Sequence, residues 1–174
     1  MGIVKIPKPV KFFASIIFKD NRGLQSAERE IRQAVGDIQE RTVPVPFYFT
    51  DYYEKEMGSG LMRLFLLLEP FSPREGLPAV KLKTNEIEAS LLSEGKRTVN
   101  IDPGYISLEN VVLATTKGYA HRIYIGNGIY ADLTLTYHNG TYRPLEWTYP
   151  DYGSVETISL LNKWRGNLKE KTRE

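Results

Sequence analysis

Residues 10–18, VKFFASIIF, constrain the fold of this chain more than any other segment. Apolar, aromatic and β-branched residues dominate the run, which predicts a β-strand without a solvated face. A strand of this kind is buried on both faces, so we expect other elements to cover it on each side.

The segments after this strand predict a ferredoxin-like order. Residues 24–36 place Leu24, Ala27 and Ile31 on one stripe of a helix, and Gly36 is suited to cap its end. The other elements predicted here are strands at 47–53 (FYFTDYY) and 61–71 (with a helix as the alternative), a helix at 77–95 and a strand at 97–102. The order strand, helix, strand, strand, helix, strand is that of a ferredoxin-like unit.

The chain beyond residue 120 is rich in hairpin signals. Segments 121–125 and 129–137 flank the turn GNG, and apolar residues alternate with polar ones in the second segment, so we predict a hairpin with one buried face. A second turn, HNG, leads into a predicted strand at 141–149. The end of the chain reads as a helix that frays into charged residues.

These elements predict an α+β fold with a mixed, largely antiparallel sheet and two or three helices. It is ferredoxin-like in its N-terminal part and rich in β-hairpins in its C-terminal part. A length of 174 residues without repeats or linkers suits one domain. We expect a single domain over 1–174, with an ordered core at 7–160 and a charged tail at 166–174.

Charge and cysteine content exclude several classes of protein. With 23 basic and 21 acidic residues, the net charge of +2 gives no electrostatic case for nucleic acid or an anionic membrane as the main partner. The absence of cysteine excludes disulfides and thiolate zinc sites. The longest apolar run, LFLLL, is too short to span a bilayer, and the N-terminus does not resemble a signal peptide, so we expect a cytoplasmic protein.

The usual nucleotide-binding motifs are not met. Gly95-Lys96 is preceded by Ser90 where a P-loop has its first glycine, and Arg97 follows where it has Ser or Thr. The segment GNGIYA matches a dinucleotide glycine pattern, but a strand follows it instead of the helix that would hold pyrophosphate. We interpret GNG as a hairpin turn.

Four polar segments can carry chemistry. FTDYYEKEMG (49–58) has acidic residues near a predicted strand end, where they bind a cation, transfer protons or are simply solvated. NIDPG (100–104) reads as a turn at Pro-Gly, preceded by Asn100 and Asp102 on one face of a strand. The second helix carries a polar stripe beside its buried face: Lys81, Asn85 and Glu88.

The fourth polar segment is TTKGYAHR. Its hydroxyls, ammonium and guanidinium complement a phosphate or carboxylate. His121 and Arg122 point to opposite faces of a regular strand, so both reach one ligand only at a strand end or bulge. The alternative for His121 is a hydrogen-bonded core residue.

Long strings in these segments resemble one known family. They are PFYFTDYYEKEMG, KLKTNEIE, VNIDPGY, VLATTKGYAHRIYIGNGIYADLTL and WTYPDY. Together they resemble the bacterial and archaeal domain-of-unknown-function family 4416, some of whose members carry a GTP-binding label. The resemblance covers nearly the whole chain and implies that the polar residues of these strings share one pocket or one buried network.

We therefore expect a polar cleft between the sheet and the second helix that binds a small anionic, phosphate-bearing or carboxylate ligand. The residues expected in catalysis are His121, Lys117 and Asp102, those expected to bind the ligand are Asp51, Tyr52, Glu56, Asn85, Glu88, Asn100 and Arg122, and a Mg²⁺ would lie between Asp51 and Asp102. Whether the protein is an enzyme stays open. The alternatives are a non-catalytic module for protein or RNA and a buried network without a ligand.

Overall fold

The computed structural model describes residues 2–171, and in this range it contains nine strands and four helices. In chain order they are β1 (Val10–Phe18), α1 (Asn21–Ala34), β2 (Ile38–Arg41), β3 (Val45–Pro46), α2 (Glu54–Met57), β4 (Met62–Ser72), α3 (Leu77–Ser90), β5 (Val99–Ile106), β6 (Asn110–Thr115), β7 (Arg122–Gly126), β8 (Ile129–His138), β9 (Thr141–Pro144) and α4 (Val155–Lys171). The predicted α+β class is confirmed.

The strands form one open sheet in the order β2-β4-β1-β5-β6-β8-β7, with β3 beside β4 and β9 beside β8. Every pairing in it is antiparallel. The connection from β1 to β2 through α1 leaves β4 between them, and the connection from β4 to β5 through α3 leaves β1 between them. This interleaving confirms the ferredoxin-like order of the N-terminal part.

Strand β1 is buried along its whole length. Residues Phe12, Ala14 and Ile16 belong to the core that α1 and α3 cover. On the opposite face the Phe13 ring lies 6.5 Å from the Trp164 ring of α4. Both faces are therefore covered, as the composition of the strand predicted.

Helix α4 covers the second face of the sheet and continues to Lys171. It buries Trp164 and Leu168. Residues 166–171, which were expected in a charged tail, are thus helical, while 172–174 lie outside the described residues. That the chain forms a single domain remains a prediction.

The predicted strand at 47–53 is wrong: this segment is a loop that leads into α2. Pairing with β4 stops at β3, where Val45 and Pro46 lie opposite Arg63 and Met62. Aromatic packing holds the loop instead, because the Phe47 ring lies 5.8 Å from that of Phe49 and 6.0 Å from that of Tyr53. Phe47 is buried in a small cluster against Ile17.

The turn predicted at NIDPG is also wrong, because β5 continues through Pro103 and Gly104 to Ile106. The register with β1 is unbroken from Val99 to Ile106. A Cβ on Gly104 would lie 2.5 Å from the Val112 carbonyl oxygen, so this glycine serves close strand packing and not a turn.

Three smaller predictions also differ from the structure. A Cβ on Gly36 would overlap the Glu69 carbonyl oxygen, so this glycine allows close packing, while Val35 is the C-cap of α1. Strand β9 ends at Pro144 and not at 149. In β8 the face predicted to be polar is covered as well, because Asp132 and Thr134 are both buried.

Among the helices of residues 2–171, none has the length and apolar character needed to cross a membrane.

Candidate functional site

Strands β5 and β6 separate after the pair Gly104–Leu113. Beyond this point residues 99–103 of β5 pair only with β1, while β6 continues beside β8 as far as Thr115. Pro103 lies where the separation begins, and it has no N–H to offer to β6. The sheet is therefore split at one end, and the split leaves backbone groups of β5 without a strand partner.

Helix α3 supplies the missing partners with its polar stripe. The Ile101 N–H donates to Glu88 Oε1 at 2.5 Å, and Lys81 Nζ donates to the Ile101 carbonyl oxygen at 3.4 Å. Lys81 Nζ also lies 3.5 Å from Asp102 Oδ1. The side chains of α3 thus take the place of a strand, and they do so at the edge of an open cavity.

The cavity at this split has a volume of about 500 Å³. Its walls come from β1, α3, β5, the end of β6, the start of β7, β8 and three loops, 47–53, 116–121 and 149–152. The sequence-predicted residues that line it are Lys117, Asp102, Tyr52, Asn85, Glu88, Asn100 and Arg122. Exposed Tyr52 and Lys117 lie at its rim, so the cavity opens to solvent.

Three sequence-predicted residues do not line the cavity: Asp51, Glu56 and His121. Asp51 is exposed. Asp102 lines the cavity and Asp51 does not, so a Mg²⁺ between these two carboxylates stays a prediction. Residues 2–171 contain no group of three or more His, Asp or Glu side chains that could hold a metal ion. Glu56 and His121 instead contact residues that do line the cavity, Arg97 and Asp132 respectively.

Glu56 holds Arg97, which lines the cavity. Its Oε2 accepts from Arg97 Nε at 2.8 Å and lies 2.6 Å from Nη2. The hydrogen bond to Arg97 keeps the pKa of Glu56 below its usual value. Arg97 Nη1 donates to Asn100 Oδ1 at 2.9 Å, and Asn100 Nδ2 donates to Asp102 Oδ2 at 2.7 Å. This series of hydrogen bonds orients the face of β5 on which Asn100 and Asp102 were predicted to lie.

Arg122 and His121 both meet Asp132, a carboxylate that is only 4% exposed. Arg122 Nε donates to Asp132 Oδ2 at 2.8 Å, and His121 Nε2 lies 3.4 Å from the same oxygen. The two side chains reach the same carboxylate because His121 immediately precedes Arg122, the first residue of β7. This is a strand end, one of the two places where both side chains were expected to be able to reach one partner. The His121 ring is stacked on Trp147 at 4.9 Å.

The other two nitrogens of Arg122 each donate a hydrogen bond as well. Nη1 donates to the Lys117 carbonyl oxygen at 3.1 Å, and Nη2 donates to the Tyr149 hydroxyl at 2.9 Å. Arg122 therefore fixes the 117–122 loop and the Tyr149 ring at the cavity wall. Lys117 differs, because among residues 2–171 its Nζ contacts only Tyr52, at 3.4 Å from the hydroxyl and 5.2 Å from the ring centre.

Burial changes the acidity of two groups in the lining. Burial raises the pKa of Glu88 to about 7, against an ordinary value of 4.5, and nearby Asp102 adds to the effect while the Ile101 N–H and Lys81 oppose it. Burial also raises the pKa of Tyr53, so its hydroxyl stays protonated at neutral pH. A carboxyl that titrates near neutral pH can both accept and donate a proton.

The lining residues that sequence reasoning did not assign to the site include Lys81, Arg97, Asp132, Tyr149 and Asp151. The alternation of polar and apolar residues in β8 predicted that the strand face carrying Asp132 is not buried, so Asp132 was not expected in the site. Asp151 is buried and pairs with Arg63 of β4. One signal was for Lys81, which shares the α3 stripe with Asn85 and Glu88, and another was the presence of Asp132, Tyr149 and Asp151 in the strings that resemble the family.

The fold and the cavity define an α+β protein whose extended ferredoxin-like sheet is split at a polar pocket. The family model described as Domain of unknown function (DUF4416) matches residues 8–167, nearly the whole chain. The chain belongs to this family, as the resemblance of its motifs indicated. No curated protein and no solved structure matches the chain.

Proposed function

We propose that the protein binds a small anionic molecule in the cavity between α3, β5 and the 115–122 loop. The observation that carries the proposal is that Lys117 has no carboxylate partner among the described residues. The other lining cations are paired, Lys81 with Asp102, Arg97 with Glu56 and Arg122 with Asp132. Within residues 2–171 no carboxylate lies within 4 Å of Lys117 Nζ, so an anion there gains a partner without displacing one.

Neutral polar groups of the cavity lining complete such a site. Asn85, Thr116 and Tyr53 line the cavity, and their side chains make no hydrogen bond within the described part of the chain. An amide and two hydroxyls can both donate and accept, so they suit the polar atoms of a bound molecule. The volume of about 500 Å³ lies in the range of small-molecule sites.

The charge balance supports an anion of low charge. Of the lining cations, only Lys117 lacks a carboxylate partner among the described residues. A polyphosphate would leave most of its charge unmatched, whereas one phosphate or carboxylate would not. Arg122, which the sequence assigned to the anion, supports the wall of the cavity in this proposal.

Any acid–base chemistry in this cavity falls to Glu88 rather than His121. Glu88 lines the cavity and its pKa is raised to about 7, while His121 lies behind Asp132. We treat His121 as a positioning residue that holds Asp132, and Asp102 as a carboxylate held in place by Lys81 and Asn100.

Calorimetric titration with two simple anions, ethyl phosphate and propanoate, tests the proposed function. We expect at least one to bind, and Lys117→Gln to weaken that binding by about tenfold or more, the usual size of a charged hydrogen bond. The matched control is Lys55→Gln, which removes the same charge from an exposed position in α2 outside the cavity lining. Absence of binding by both anions, or equal binding by both variants, would contradict the proposal.

A further inference from the structure

Two charged side chains of the cavity lining have no ion-pair partner among residues 2–171, and they have opposite charge. One is Lys117. The other is Glu88, which has no Lys, Arg or His nitrogen within 4 Å of its carboxylate. The remaining charged lining residues are paired: Lys81 with Asp102, Arg97 with Glu56, Arg122 with Asp132, and Asp151 with Arg63.

The two unpaired groups belong to different walls. Glu88 projects from α3 beside β5, and its Oε1 is held by the Ile101 N–H. Its other oxygen, Oε2, has no hydrogen-bond partner in the described part of the chain. Lys117 projects from the loop after β6, across the split in the sheet. Each wall thus presents one uncompensated charge.

We propose that the natural ligand is a small zwitterion, a phosphorylated or carboxylated amine whose anionic group meets Lys117 and whose ammonium meets Glu88. This inference rests on the proposed binding of an anion at Lys117. The ammonium donates to Glu88 Oε2, while Asn85, one turn before Glu88 on the same stripe of α3, contacts the linker between the charged groups.

Charge complementarity favours an ammonium over a hydroxyl at Glu88. The wall formed by α3 and β5 is counted here together with Arg97 and with Glu56, which pairs with Arg97. Its cations are Lys81 and Arg97, and its carboxylates are Glu56, Glu88 and Asp102. It therefore has one carboxylate in excess when Glu88 is ionised. A hydroxyl would leave that buried charge uncompensated, whereas an ammonium balances it.

Protonation of Glu88 competes with the ammonium. The groups around Glu88 are Lys81 on its own helix, the Ile101 N–H and Asp102 on β5, and Arg97 before β5. Because burial raises the pKa of Glu88 to about 7, the empty site holds a proton there below neutral pH. A bound ammonium replaces that proton, so affinity for a zwitterion increases between pH 6 and pH 8.

Two matched pairs of probes test the inference by calorimetric titration at pH 8. O-phosphoethanolamine differs from ethyl phosphate by its ammonium, and β-alanine differs in the same way from propanoate. We expect the amine of at least one pair to bind about tenfold or more tightly than its partner. Glu88→Gln should abolish this preference, so that both members of each pair bind the variant equally.

The control variant is Glu86→Gln, which removes the same charge from an exposed position two residues away on α3 and should keep the preference. Glu88→Gln retains an oxygen for the Ile101 N–H, and its thermal unfolding checks that the fold is intact. Equal binding within both pairs, or a preference that persists in folded Glu88→Gln, overturns the zwitterion and leaves the anion site standing. If none of the four probes binds, the anion site fails with it.

Discussion

The two halves of β5 share one neighbour, β1, and differ in the other. Residues 104–106 pair with β6, whereas residues 99–102 face the split, where Glu88 and Lys81 bind the backbone of Ile101. The paired half is stabilised by close packing and the open half by ionisable side chains. The comparison shows how a binding site can form within a sheet. Where strand pairing ends, the side chains that take the place of the neighbouring strand are accessible to a ligand.

The largest effect of a single substitution is expected in the paired half. Gly104→Ala would place a Cβ 2.5 Å from the Val112 carbonyl oxygen and 2.8 Å from the Phe13 ring. We expect a loss of about 3 kcal/mol in the free energy of unfolding, measured by urea denaturation. Gly166→Ala in α4 is the control, because its Cβ would meet open space and alanine favours the helix. Equal stabilities of the two variants would contradict the close packing at β6.

In the open half, stability should depend on pH through Glu88. Its pKa is about 7 in the folded protein against 4.5 ordinarily, so the folded state binds a proton that the unfolded state has lost. The contribution is fully present below pH 4.5 and is lost as the pH rises to 7, by about 3 kcal/mol in total. Thermal or urea unfolding from pH 4.5 to 8 measures it. Glu88→Gln should lack this component, and an unchanged pH profile in that variant would count against the assignment.

Two substitutions of Glu88 separate the contribution of its hydrogen bond to stability from that of its charge, and the expected effect is smaller. Glu88→Ala leaves the Ile101 N–H without its acceptor, while Glu88→Gln retains an oxygen at that place. We expect the alanine variant to be less stable than the glutamine variant by about 2 kcal/mol, the usual cost of an unsatisfied buried donor. Urea denaturation of both variants at one pH gives the difference. Identical stabilities would show that Glu88 is not needed as a substitute for the missing strand.

The same contrast explains what the sequence could predict. Local patterns determine β1, α1, α3 and the β7–β8 hairpin, so periodicity was sufficient for their existence and for the ferredoxin-like order. It was also sufficient to group Asn100 with Asp102, and Lys81 with Asn85 and Glu88. The split between β5 and β6 depends on pairing between distant segments, which no local pattern contains.

Errors of interpretation follow from the same cause. Pro103 and Gly104 indicated a turn because a local pattern cannot show that β1 continues beside them. Asp132 looked solvated because the alternation within β8 does not show what packs on it. Arg122, its register partner on β7, donates to its Oδ2 at 2.8 Å, and His121 lies 3.4 Å from the same oxygen.

The smallest expected effect on stability is at the rim of the open half. Lys117 is exposed, and within the described part of the chain its side chain contacts only Tyr52. Lys117→Gln should therefore change the free energy of unfolding by less than about 0.5 kcal/mol. The same substitution is expected to weaken binding of an anion by about tenfold. Urea denaturation compared with Lys55→Gln tests the first expectation. A loss well above that of the control would mean that Lys117 stabilises the fold, and the contrast between a closely packed half of β5 and a half kept open for a ligand would no longer hold.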